Sequence, residues 1–282
     1  MTGTSAARLV RSAAVAGSFY PAEPGTLRHQ VKGFLTSVEA VAAPAIAIIV
    51  PHAGYEFSGR CAAEVFGRVL IPRTVVLLGP NHYGATGRVG GAGVWQAGAF
   101  ATPLGALPID DSFARALIEA CPLVAHDPLA HRGEHALEVQ LPFLVVQAAP
   151  ALPAIVPLVL SWDDWPRCRE LARALAALVR SAGPENVLLL ASSDMTHFEP
   201  AAEALRHDEP ALAAIRRLDG EGLLRECDVH CITMCGAAPV AVVLEAAREL
   251  GARRADVIAH THSGLVTGDC SSVVSYAGIV IR

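Results

Sequence analysis

The sequence predicts an α/β fold: one domain over residues 1–282, built on a central mixed, largely parallel sheet flanked by helices. Three observations carry this. Short runs rich in β-branched and aliphatic residues recur along the chain, among them "AIAIIV", "TVVLLG", "AIVPLVL" and "NVLLLA". Longer segments of helical period separate them, and strands alternating with helices make a sheet covered on both faces. No low-complexity tract, long linker or internal repeat marks a boundary that would divide the chain.

In chain order, the first clear strand spans about residues 46–50, and Ser58 reads as the N-cap of a helix in "GRCAAEVFGRVL". A strand at 74–79 leads into a loop-rich section with several glycines and Trp95. Asp110 or Asp111 then caps a helix running to about Cys121. "HALEVQLPFLVVQ" has helical character, which Pro142 should kink or interrupt. The strand "AIVPLVL" precedes the amphipathic helix "WPRCRELARALAALVRSAG", which stops at Gly183. "NVLLLA" follows, then a helix-rich stretch over about 200–225 and a helix from Gly236 to Gly251. "ADVIAHTH" and "SSVVSYAGIVI" close the chain as strands.

Composition removes several function classes. With 52% hydrophobic and 17% charged residues the chain can bury a large core and is not disordered. A net charge of −5, with Lys32 the sole lysine, argues against nucleic acid or an anionic membrane as partner. Seven cysteines, an odd number placed inside periodic segments, do not make a disulfide framework and point to a reducing cytoplasm. The apolar patch in "MTGTSAARLVRSAAVAGSFYP" is too short and glycine-broken for a signal peptide. No run of about twenty apolar residues exists to span a membrane.

The chemistry gathers at strand ends. Ligands of open α/β sheets bind beyond the carboxyl ends of the strands, and His52, His82 and His197 each follow such an end closely, in "VPHAGYEFSG", "LLGPNHYG" and "SSDMTHFEP". Pro51 stiffens the first turn, Gly54 lets backbone approach, and Gly79 and Gly84 bracket His82. Asp194 supplies a carboxylate near His197. Imidazole is the commonest protein ligand for zinc, copper and iron, and a carboxylate can orient it. Cys227, Cys231 and Cys235 are spaced four apart, as small core residues on a helix face often are. Cys235 stands apart because Gly236 and a strong helical pattern follow it, and a helix N-terminus favours thiolate.

Together these segments, with "RSAAVAGSFYPAEPGTLRHQV", "HRGEHALEVQLPFL", "MCGAAPV" and the C-terminal strand, resemble the Memo family, component B of the AmmeMemoRadiSam system, over essentially the whole chain. The resemblance implies a fold similar to class III extradiol dioxygenases, which open catechol rings with non-haem iron. It implies metal ligation by His52, His82 and Cys235, with His197 and Asp194 as a further polar, catalytic pair. Fe(II) is the metal it favours, with copper and zinc as alternatives. The other proteins of the same system are implied as partners. One departure stands out: the dioxygenase triad has two histidines and a carboxylate, and here a softer, oxidisable thiolate takes the carboxylate's place.

Two readings follow. In one, an iron-dependent oxygenase acts on a small aromatic substrate, with His197 as acid or base tuned by Asp194. In the other, a scaffold retains the pocket to bind a metal, small molecule or peptide without turnover, as the association of eukaryotic Memo proteins with motility signalling and phosphopeptides suggests. "HRGEH" matches the H-x-x-E-H zinc-peptidase pattern, but Gly133 spoils the helix that pattern needs, and "EHALEVQLPFL" reads more simply as the start of a packed helix. His131 and His135 thereby have no assigned role. His260 and His262 in "HTHSG" share a strand face and read as structural. No G-x-S-x-G elbow is present, and "GGAGVWQAG" lacks the dinucleotide spacing.

Overall fold

A computed structural model describes residues 9–84 and 91–282. The N-terminal stretch read for a leader begins in residues 1–8, and the glycine-containing segment after His82 runs through 85–90; those residues lie outside the described ones. In chain order the first part comprises β1 (Val10–Arg11), α1 (Pro24–Thr36), β2 (Ala47–Val50), α2 (Tyr55–Phe66), β3 (Thr74–Pro80), β4 (Ala92–Val94), β5 (Ala99–Thr102), β6 (Gly105–Pro108) and α3 (Asp111–Ala120). Next come β7 (Val124–His126), α4 (Pro128–His131), α5 (Leu141–Ala148), β8 (Ala154–Leu160), α6 (Trp165–Ala182), β9 (Val187–Ser192) and β10 (His197–Glu199). The chain ends with α7 (Ala201–His207), α8 (Glu209–Arg216), α9 (Gly220–Val229), α10 (Ala237–Glu249), β11 (Ala255–His262), α11 (Gly264–Thr267) and β12 (Val273–Ile281).

The large sheet has the order β10-β12-β2-β9-β3-β8-β4-β7, with β11 paired to β12. Its centre, β2-β9-β3-β8, is parallel. The flanks turn antiparallel where β12 meets β2 and β4 meets β8. Strands β2, β3 and β9 are buried at every position, which is why they read as unbroken apolar runs. One helical group, α6 with α10, packs over β9 and β3, while α2 lies against β2, β11 and β12 and carries α1. The mixed α/β class is therefore observed, and no helix among the described residues is long and apolar enough to cross a membrane.

Several boundaries differ from the sequence reading. Helix α2 starts three residues before Ser58, at Tyr55 with Gly54 as N-cap, and the buried Ser58 hydroxyl donates back to the Ala53 carbonyl. Tyr55, the first helical residue, is buried, its ring against Phe143 and its hydroxyl donating to the Val139 carbonyl. Gly54 has φ −54°, and a Cβ there would meet Phe19 O at 3.6 Å, an ordinary contact, so glycine is not required by close approach. Asp110 is the cap of α3 through a 3.0 Å bond from Phe113 N. "EHALEVQLPFL" does not begin as a helix: residues 134–135 are irregular, Glu138–Gln140 form a 3₁₀ turn, and α5 starts at Leu141 with Pro142 in its first turn. Helix α1, capped by the Glu23 carboxylate, and the small sheet β1-β5-β6 had no sequence signal strong enough to be read.

A buried polar hub fixes the irregular segment. Glu138, fully buried, accepts from Arg11, from Ala14 N and Val15 N, and from the Tyr20 hydroxyl. Arg11 also donates to the carbonyls of His131 (2.7 Å) and Glu134 (2.6 Å). The start of the chain is thereby tied to the turn that carries Glu134.

Burial also sets an acid limit. It holds His131 down to about 4, His135 to about 4 and His52 to about 3, so all three fold as neutral imidazoles. Below the ordinary histidine value the unfolded chain takes up protons that these side chains refuse, and stability falls as pH drops from about 6.5 toward 4. Each histidine in that window should add about 1.4 kcal/mol per pH unit to the slope. His131→Asn should therefore flatten a urea-unfolding series of metal-free protein between pH 7 and 4.5 by about one proton's slope. An unchanged slope would contradict the assignment.

Candidate metal centre

Strand order brings the sequence-predicted residues together. Because β9 inserts between β2 and β3, the turns after three neighbouring parallel strands carry His52, Asp194 and His82 side by side. Cys235 arrives from the connection between α9 and α10. Gly236 makes that approach feasible: a Cβ on it would lie 2.5 Å from Ser192 O, and its N–H donates to Ser193 Oγ at 2.9 Å. Ligand atoms of His52, His82 and Cys235 lie within 4.8 Å of one another.

The network assigns each imidazole a tautomer. Ser192 Oγ donates to the Ala136 carbonyl (2.7 Å) and accepts from Gln140 Nε2 (2.9 Å), so its 3.0 Å contact with His52 Nδ1 is one it accepts. The proton sits on His52 Nδ1, and Nε2 faces Cys235 Sγ at 3.1 Å. His82 is held the same way: its Nδ1 donates to Glu134 Oε1 at 2.8 Å, and its backbone N–H donates to Oε2 at 2.8 Å. Burial would raise the Glu134 carboxyl, but hydrogen bonds from His82 and the Ala136 N–H prevail and hold it at about 2. Both histidines thus present a lone pair on Nε2.

Cys235 departs from expectation. Burial, then the Asp194 carboxylate, push its thiol up, outweighing the Asp194 N–H that donates to the sulfur at 3.3 Å. The helix start is nearby, yet desolvation exceeds its benefit, and the thiolate needs a cation to exist here. Asp194 is itself raised by burial while accepting from His52 N at 2.7 Å. It makes no hydrogen bond with His197. That imidazole pairs with Thr233, donating from Nδ1 to its carbonyl at 3.0 Å, and sits half-buried.

Two residues without an assigned role belong to this place. Glu134 orients His82, and His135 packs against both ligand candidates, 5.5 Å from the His52 ring and stacked 4.5 Å from His82. The His135 Nδ1 is buried without a hydrogen-bond partner. His82, Glu134 and His135 also form a second close group, but the Glu134–His82 contact is already a hydrogen bond, so the carboxylate supports the imidazole and does not compete with it. The "GEH" triplet was the available signal; the missing helix only excluded a peptidase. His131 sits apart, its Nε2 donating to Gly93 O. His260 pairs with the buried Asp208 at 2.8 Å, as a structural residue does. A cavity of about 450 Å³ opens on this side, lined by His135, Asp194, Phe19, Phe57, Phe198 and Tyr276 among others.

Comparison with known proteins adds three findings. The family described as Memo-like protein matches residues 11–280. MEMO1 family proteins of Methanopyrus kandleri (36% identical, covering 96% of this chain and 99% of the relative) and Aquifex aeolicus (38%, 96% and 98%) align almost end to end. A crystal structure of an uncharacterized protein from Escherichia coli K12 shares the fold, with TM-score 0.50 and 17% identity over 82% of this chain and 98% of that one.

Proposed function

The chain belongs to the Memo family, and from that premise we propose that His52, His82 and Cys235 hold a metal ion with which the protein acts as a non-haem iron-dependent oxidoreductase on a small aromatic substrate. The observation carrying this is the pair of tautomers: each imidazole spends its Nδ1 proton on a fixed acceptor and offers Nε2 to the same space as the Cys235 sulfur. A neutral, pre-oriented N,N,S donor set fits a transition metal. Fe(II) bound there would supply dioxygen activation; the soft sulfur also admits copper or zinc.

The chain's own residues do the rest. Ser192, Gln140 and Glu134 hold the two rings in register. Phe19, Phe57 and Tyr276 give the adjoining cavity aromatic walls, and Asp194 and His135 provide polar contacts for substrate hydroxyls. His197, whose Nδ1 is held by the Thr233 carbonyl, would take or return a proton through Nε2. Phe198, 78% exposed with φ +63°, lines the same cavity and favours a second reading, a peptide-binding scaffold without turnover. Partners from the AmmeMemoRadiSam system belong to the same proposal and would co-purify with the chain.

Anaerobically purified protein should carry near-stoichiometric iron by plasma mass spectrometry and consume oxygen with catechols. Metal without oxygen uptake selects the scaffold, and no metal in any preparation overturns the metal centre and the oxidoreductase, leaving the peptide-binding scaffold to be tested by partner pull-down. Glu134→Gln should weaken metal affinity about 10- to 100-fold in chelator competition, because His82 loses its charged anchor.

A further inference from the structure

His207, the last residue of α7, is not a ligand candidate, yet both nitrogens of its ring meet groups that only accept hydrogen bonds. Nδ1 lies 2.9 Å and 3.1 Å from the two carboxylate oxygens of Glu199, and Nε2 donates to the carbonyl of His230. A neutral imidazole carries one N–H and a protonated one carries two, so only the imidazolium satisfies both contacts. Burial works against that charge, but the His230 carbonyl, Glu199 and Asp208 prevail and raise the side chain above the ordinary histidine value. His230 caps the C-terminus of α9, where a cation is favoured.

The other charged groups around this ring are already engaged. Asp208, next in the chain, pairs with His260 of β11, and the His230 side chain pairs with Glu226 of α9 at 3.3 Å. Glu209 of α8 is held by Arg216, and Asp256 of β11 by Arg254. Glu203 and Arg206 lie on α7 itself, His262 on β11, and β12 brings the buried Tyr276.

Glu199 and His230 lie on the two segments that already meet at His197. Glu199 is two residues beyond His197 on β10. His230 is three residues before Thr233, whose hydroxyl and carbonyl accept from the His197 N–H (2.8 Å) and Nδ1 (3.0 Å). His207 adds a second rung between the same segments. Between the rungs each segment carries a non-glycine residue in the left-handed region, Phe198 at φ +63° and Cys231 at φ +52°. Such backbone persists only where its surroundings over-determine it. Phe198 lines the aromatic cavity, and the segment of Cys231 runs on to Cys235.

We infer that His207 is a positioning residue that acts as an imidazolium: it clamps the strand carrying His197 and Phe198 to the connection that delivers Cys235, and losing its proton slackens the mouth of the aromatic cavity. The clamp needs no metal, while its bearing on a substrate rests on the proposed function. Deprotonation leaves one N–H for two acceptors, so one contact is lost. A group whose pKa is raised on folding contributes stability that is complete below about 6.5 and is lost as pH rises through the folded value.

Hydrogen–deuterium exchange on chelator-treated full-length protein from pH 6 to 8.5, with rates divided by the intrinsic base-catalysed rate, tests this. Protection of the His197 and Ile232 amides, which donate to Thr233 Oγ1 and the Cys227 carbonyl, should fall as pH rises. The fall should reach up to about tenfold per pH unit while opening releases one proton. His207→Gln, which carries no charge, should show low protection throughout. Glu199→Gln separates charge from packing: its amide donates to His207 Nδ1 while Nε2 still donates to His230, so a neutral ring satisfies both contacts. Protection there should be retained and lose its pH dependence. Parent protection that ignores pH, a His207→Gln variant protected like the parent, or a Glu199→Gln variant with the parent's pH dependence would each overturn the inference. So would a His207 ring that titrates at or below about 6.5 by NMR in the parent chain, whatever the variants do. A protein that shows this linkage yet never carries metal would leave the clamp intact while refuting the metal centre.

Discussion

Cys235→Ser protein is expected to fold normally and to bind iron at least about a hundredfold more weakly than the parent chain. The fold should survive because a hydroxyl can take over the sulfur's contacts, which are the Asp194 N–H, the Asp194 carbonyl at 3.7 Å and His52 Nε2. Binding should not survive, because a serine hydroxyl is a far poorer anionic ligand than a thiol, and the two imidazoles left behind make an incomplete site. Anaerobic metal analysis with circular dichroism on the same samples reads both halves. Parent-like iron content in the variant would remove Cys235 from the ligand set.

The largest stability effect should come from a residue that touches no ligand candidate. Glu138→Ala should cost about 3–5 kcal/mol, because it leaves the Arg11 guanidinium buried without its counter-charge. Ala14 N, Val15 N and the Tyr20 hydroxyl lose their acceptor as well. The effect should reach the metal centre, since Arg11 also holds the Glu134 carbonyl and Glu134 orients His82. Chemical denaturation should show the loss, and chelator competition a weaker site. The paired variant Arg11→Met, Glu138→Leu should recover much of the stability, because removing both charges removes the desolvation cost. A single variant as stable as the parent would show that the hub is not what ties the first strand down.

Much of the centre was legible because its markers are local. A strand buried on both faces must be apolar throughout, so β2, β3, β8 and β9 announce themselves, and a polar residue just past such a run stands out. His52, His82, Asp194 and His197 were visible on that ground, and Cys235 by the helix that follows it. Glu134 and His135 were not, because their segment is held by Arg11 and Glu138, more than a hundred residues apart in sequence. Nothing local in "HRGEH" says that its carboxylate turns toward a histidine some fifty residues earlier.

The sequence by itself determined the α/β class, the central strands and the family to which the chain belongs, since burial periodicity and motif order are written residue by residue. Only the tertiary structure decided the rest. Pairing β9 between β2 and β3 is a long-range choice that brings the turns carrying His52, Asp194 and His82 to one sheet edge, and the connection between α9 and α10 adds Cys235 beside Asp194. The protonation pattern followed from that packing: depth of burial, not the helix start, raised the Cys235 thiol, and the Ser192 and Glu134 acceptors fixed which nitrogen of each imidazole is free. Strand order and desolvation depend on contacts between distant segments, and no window of sequence contains both partners.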